Sequence, residues 1–208
     1  MLNVAVFAST KGTDLQEIID ELKSGKLEGV NLKFVLSNKA DAYALERARK
    51  AGFKTIFLDP KGKTREEYDA ECMKICQEHR IDLILFIGYM RLVTKTLIEP
   101  YRNRILNIHP SLLPKYPGMD LDVHKAVLDA GEKETGCTLH FVDEGTDTGP
   151  IFIQRRLTVN PADTPETLKE RVQKLEQKII IEGIKKFSQE RCHPGGSGAT
   201  DRILKRPL

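Results

Sequence analysis

Four times between residues 2 and 101, a short, mainly apolar run gives way to a stretch whose apolar positions recur at helical spacing. LNVAVFAS is followed by TDLQEIIDELKSGKL, VNLKFVLSN by DAYALERARKAG, KTIFLD by TREEYDAECMKICQEH, and IDLILFIG by TKTLIEPY. A run with apolar residues on both faces is a strand buried on both faces, and a strand reached through a helix lies parallel to its predecessor. The repetition therefore restricts the chain to a parallel sheet covered by helices on both sides.

From residue 104 the pattern changes. RILNIH is one more short strand and VHKAVLDAGE a short helix, after which GCTLHFVDEGTDTGPIFIQRRLTV reads as two strands joined by a Gly-rich, acidic loop. Strands this close in sequence pair antiparallel. The predicted fold is thus α/β and doubly wound, with a mostly parallel (mixed) sheet and a site at the carboxyl ends of its strands. TPETLKERVQKLEQKIIIEGIKKF predicts a long helix capped by Thr164, with Pro165 at its first position. At 208 residues the chain suits one domain, expected over 1–187, with 188–208 expected as a mobile tail.

Composition narrows the function. With 40% apolar and 30% charged residues the chain is neither a disordered nor a fibrous sequence. No apolar run approaches the ~20 residues that span a bilayer, and the N-terminus lacks a secretory pattern, so no membrane partner and a cytoplasmic location are expected. Cys72, Cys76, Cys137 and Cys192 are scattered, and only the first two share a helical spacing, which suggests reduced thiols and no metal site. The net charge of +3 is spread along the chain apart from the tail RILKRPL. It excludes a nucleic acid patch but suits a phosphorylated small molecule.

Two stretches carry chemistry. In ASTKGTDL a strand turns into a helix, and Ser9, Thr10, Lys11, Gly12 and Thr13 crowd a helix N-terminus where a phosphate would sit. An ordinary turn capped by Thr13 or Asp14 explains the same residues, and a single Gly matches neither dinucleotide nor P-loop patterns. In LNIHPSLLPKYPG, Asn107 and His109 are two residues apart on a strand and so share a face. Each alone is a common structural residue. Beside them HFVDEGTDTGP offers Asp147, and an amide, an imidazole and a carboxylate are the parts needed to hold an oxyanion and move protons around it.

NIHPSLLPKYPG and LHFVDEGTDTGPIFIQ together closely resemble the folate-dependent phosphoribosylglycinamide formyltransferases, and SNKADAYALERARKAG and FIGYMRLV are similar to further segments of that family. The resemblance runs from about residue 1 to 187. It implies a formyltransferase-type fold, with Asn107, His109 and Asp147 as catalytic residues. It places the ribonucleotide's phosphate on Lys11, Gly12, Thr13 and Asp14 and its ribose on Glu176. Folate is assigned to Met90, Arg91, Leu92, Asn107, Phe141, Val142 and Asp143, although without the resemblance Met90 reads as core filler and Arg91 as an ion-pair partner. Three departures stand out: STKGTD replaces the usual S-G-N-G-S-N, MDLDVH is a longer segment retaining only His124, and Gln177 follows Glu176 where a His is common.

The resemblance implies transfer of a formyl group from 10-formyltetrahydrofolate to the amine of 5-phosphoribosylglycinamide in purine synthesis, with no metal. A formyltetrahydrofolate hydrolase would use the same three residues but usually carries an N-terminal regulatory domain, whereas this chain opens at its first strand. A non-enzymatic nucleotide-binding module could own the same sheet and turn. The sequence leaves the oligomeric state open, a homodimer included.

Overall fold

A computed structural model describes residues 1–118 and 122–192. Its strands and helices alternate in the order read from the sequence: β1 (Leu2–Phe7), α1 (Thr13–Lys23), β2 (Val30–Ser37), α2 (Tyr43–Lys50), β3 (Thr55–Phe57), α3 (Arg65–Glu78), β4 (Leu83–Phe86) and α4 (Lys95–Ile98). There follow β5 (Ile105–His109), α5 (Val123–Asp129), β6 (Glu134–Phe141), β7 (Ile151–Thr158) and α6 (Pro165–Cys192). The sheet runs β3-β2-β1-β4-β5-β6-β7. Its first five members are parallel, while β6 and β7 join antiparallel.

Strand alternation divides the interior into two layers. Val4, Val6, Leu83, Leu85, Leu106, Leu139 and Phe141 face the side covered by α1, α2, α5 and α6. Ala5, Phe7, Ile84, Phe86 and Ile105 face the side covered by α3 and α4, where Tyr68, Cys72 and Cys76 pack. Burial from both sides explains why these strands read as continuous apolar runs. Strand order reverses between β1 and β4: β1 leads outward to β2 and β3 on one side, and β4 leads outward to β5 on the other. The crevice at that switch, beyond the carboxyl ends, is where ligands of such sheets bind.

Helix ends follow local chemistry. Thr64 caps α3 in a capping box with Glu67, and Thr164 Oγ1 accepts from Thr167 N at 3.3 Å at the start of α6. α6 continues to Cys192, so the domain boundary expected at Phe187 falls inside a helix, and the expected tail from 193 onward lies outside the described residues. So do residues 119–121 of the longer segment before His124. Among the described residues no helix is long and apolar enough to cross a membrane, and no group of three or more His, Cys, Asp or Glu is placed to hold a metal.

Leu106 is fully buried beside the candidate catalytic Asn107. Leu106→Ala should cost ~2–5 kcal/mol, the range for a buried leucine that leaves a cavity, measured by urea unfolding. A loss below ~1 kcal/mol would mean that α6 closes over the gap.

Candidate active site

On β5, Leu106 and Ile108 enter the layer beneath α1, α5 and α6, so Asn107 and His109 project from the opposite face at the strand's carboxyl end. The antiparallel register sets His140 of β6 against Asn107 and Thr138 against His109. The chain then loops back through residues 142–150, where Asp147 takes a left-handed conformation at φ 56°. Gly149 has to lack a side chain there, because a Cβ would lie 1.8 Å from the Phe141 carbonyl oxygen.

The Asp147 carboxylate gathers these elements. Its Oδ2 accepts from the Gly118 backbone amide at 2.9 Å and lies 3.2 Å from His109 Nδ1. Its Oδ1 accepts from Asn107 Nδ2 at 3.2 Å and lies 3.4 Å from His140 Nε2. Burial pushes this carboxyl up, but the bonds from His140 and Gly118 and the charges of both imidazoles outweigh it and leave the pKa at about 2. Asp147 is ionised throughout the physiological range.

Both ring nitrogens of His109 face acceptors: Nδ1 the carboxylate, and Nε2 the Tyr116 carbonyl at 2.7 Å. Only the imidazolium satisfies both. Burial pulls its pKa down while Asp147 and the carbonyl pull it up, and the balance lies below the ordinary histidine value. His140 donates Nδ1–H to the Phe141 carbonyl at 2.9 Å. Its Nε2, 3.1 Å from Asn107 Nδ2, accepts from that amide when the ring is neutral and donates to Asp147 when it is charged.

These residues line one end of a cleft of about 360 Å³, whose other walls include Met90, Arg91, Leu92, Val142 and Asp143. Met90 and Leu92 are exposed there, so neither is core filler. Arg91 stacks its guanidinium 4.1 Å from the Tyr68 ring centre. Asp143 organises the loop, accepting from Gly145 N and Thr148 Oγ1 at 3.1 and 2.7 Å. Phe141 is the exception among the expected folate residues. Strand alternation turns its ring into the opposite layer, 5.1 Å from Phe152, away from the cleft.

The family model described as formyl transferase matches residues 2–184. The chain belongs to the formyl transferase family. It is 40% identical to phosphoribosylglycinamide formyltransferase of Escherichia coli (strain K12), over 86% of this chain and 83% of that protein. It is 44% identical to the trifunctional purine biosynthetic protein adenosine-3 of Drosophila melanogaster, over 83% of this chain but only 13% of that much longer protein. The crystal structure of glycinamide ribonucleotide transformylase 1 from Symbiobacterium toebii superposes with a TM-score of 0.86 at 41% identity, covering 92% of this chain and 89% of that one.

In this formyl transferase a second cavity, of about 190 Å³, adjoins the cleft and shares with it Gly88, Ile108, Pro110 and Lys169. It lies at the start of α1. The helix is capped neither by Thr13 nor by Asp14: Gly12 is the N-cap, at φ 63°, and no side chain bonds the first turn, whose amides stay free for a ligand. A Cβ on Gly12 would come within 2.8 Å of Ala44 Cβ. Thr13 Oγ1 accepts a hydrogen bond from Gln173 of α6. Lys11 is exposed and does not line the cavity; its carbonyl accepts from Arg47 Nε at 2.8 Å.

Asp14 and Glu176 both line this cavity and both are buried. Burial lifts Asp14 to about 7. Burial, and then the nearness of Asp14, lift Glu176 well above the carboxylate range, against the pull of Lys169. Sequence reasoning missed His140, Gln173, Lys169 and the Tyr116 carbonyl. Lys169, Gln173 and Glu176 stand at i, i+4 and i+7 on one helix face, a signal present in the sequence but shared by any solvated helix face.

An acid whose folded-state pKa is raised costs stability as pH climbs from its unfolded value of 3.8 through about 7. Asp14→Asn should therefore gain stability relative to the parent at pH 8 compared with pH 5. Chemical denaturation midpoints at the two pH values check this; an equal shift at both would mean that Asp14 is not protonated on folding.

Proposed function

We propose that the chain catalyses formyl transfer from 10-formyltetrahydrofolate to the amine of 5-phosphoribosylglycinamide, a step of purine synthesis. The observation that carries this reading is the convergence of Asn107, His109 and Asp147 at hydrogen-bond distance on one cleft that opens into a second, phosphate-suited cavity. Folate would fill the cleft between the 90–92 segment and the 142–147 loop, and the ribonucleotide would enter at α1 beside Glu176.

In this mechanism the neutral amine attacks the formyl carbon, and the new C–N bond sends the carbonyl π pair onto oxygen. Asn107 Nδ2 and His109 Nε2 donate to that oxyanion, whose negative charge favours the imidazolium that burial disfavours in the free protein, and ionised Asp147 holds the ring through Nδ1. The attacking nitrogen then loses a proton through Asp147 and water, the folate nitrogen gains one, and the tetrahedral centre collapses by breaking its bond to folate. Direct transfer between two bound reactants needs no covalent enzyme intermediate. Because the Tyr116 carbonyl holds His109 Nε2 in the free protein, the 110–118 segment releases that nitrogen when the formyl oxygen arrives. A cytoplasmic setting agrees with the buried reduced thiols Cys72, Cys76 and Cys137.

Asn107→Ala, His109→Ala and Asp147→Ala should each lower kcat by ~10²-fold or more in folded protein, as loss of an oxyanion donor or its support does. Near-normal turnover in His109→Ala would remove the imidazole from the mechanism. Mixing the protein with 10-formyltetrahydrofolate and following tetrahydrofolate by absorbance should give a background rate until 5-phosphoribosylglycinamide is added. Rapid release that ignores the amine would identify a hydrolase instead.

A further inference from the structure

A phosphorylated ligand in the cavity at α1 needs more positive charge than the start of the helix alone supplies. Asp14 and Glu176 both line it, and the free amides of α1 offer only about half a unit of positive charge. Two of its walls also lack partners: Asp14 and His124 are each more than nine-tenths buried, and Asp14 Oδ1 and His124 Nδ1 bond to nothing. Buried polar atoms left this way call for a partner from outside the protein, an ordered water or a ligand.

Among the described residues lining this cavity, Lys169 is the one lysine or arginine. It stands where three cavities meet, lining the catalytic cleft, the α1 cavity and a third space between Pro110 and the start of α6. Its charge reaches both His124 and Glu176. One helical turn further along α6, Gln173 is committed to Thr13, so the position nearest the α1 amides is neutral and the cation sits at 169. We propose that Lys169 is the side chain that holds the phosphoryl group of the amine substrate, closing over it against the first-turn amides of α1, in place of Lys11. The assignment rests on the ribonucleotide reading above and names the residue that carries its charge recognition.

An ammonium–phosphate contact of this kind is charge-assisted, and its loss should weaken binding ~10-fold or more. The test uses Lys169→Met and Lys169→Arg with two readouts. In steady-state assays Lys169→Met should raise KM for 5-phosphoribosylglycinamide by that factor while KM for 10-formyltetrahydrofolate stays within about twofold, and Lys169→Arg should recover much of the loss. Calorimetry with ribose 5-phosphate, which needs no formyl transfer, should show the same ranking. Parent-like ribose 5-phosphate binding in Lys169→Met, no binding to the parent protein, or equal losses in both variants would overturn the assignment. Lysine-dependent ribose 5-phosphate binding without turnover of 5-phosphoribosylglycinamide would uphold Lys169 and overturn the substrate reading instead.

Discussion

One half-buried carboxylate ties the catalytic end of this molecule together. Asp147 receives hydrogen bonds from the Gly118 amide and from Asn107, and its other contacts are the rings of His109 and His140. Those groups come from β5, from the Pro-rich segment after it, and from β6, while Asp147 itself rides on the loop between β6 and β7. An ionised group with this little access to water depends on these donors staying in place. The same bonds that keep the carboxylate charged therefore fix the positions of the imidazole and the amide, and organisation of the site and its electrostatics are a single property.

The sheet supplies the frame for that knot. Although β6 is reached through α5, it runs antiparallel to β5, and that pairing brings His140 directly against Asn107. The reversal of strand order between β1 and β4 opens the crevice on the other side of β5, and Gly88, just past β4, faces both cavities. A Cβ on Gly88 would meet Thr10 Oγ1 at 2.4 Å, so the two spaces join at a point where backbone replaces side chain.

Much of this architecture is legible in the amino-acid sequence. Apolar runs alternating with helical periods dictate the order of every strand and helix, and the two-residue spacing of Asn107 and His109 places them on one face. The features that escape such reading depend on register and on which face a residue meets. Phe141 and Val142 are neighbours in sequence, yet only Val142 reaches the cleft, because strand alternation sends them to opposite layers. Pairing of His140 with Asn107 is set by a connection of more than twenty residues, which no local pattern encodes. The helix cap falls at Gly12 and not at Thr13 or Asp14, in a left-handed backbone conformation that glycine adopts without steric cost.

Tyr116 holds a left-handed backbone conformation at φ 54°, and its carbonyl oxygen sits 2.7 Å from the outer nitrogen of His109. The free protein thus carries its own imprint of the group it is built to receive: a neutral trigonal oxygen facing the outer ring nitrogen. For inhibitor chemistry that oxygen is a template. A planar carbonyl placed at the same point inherits a bond whose partner ring is already oriented and already stripped of water. A tetrahedral or anionic oxygen there would gain the ring's charge as well.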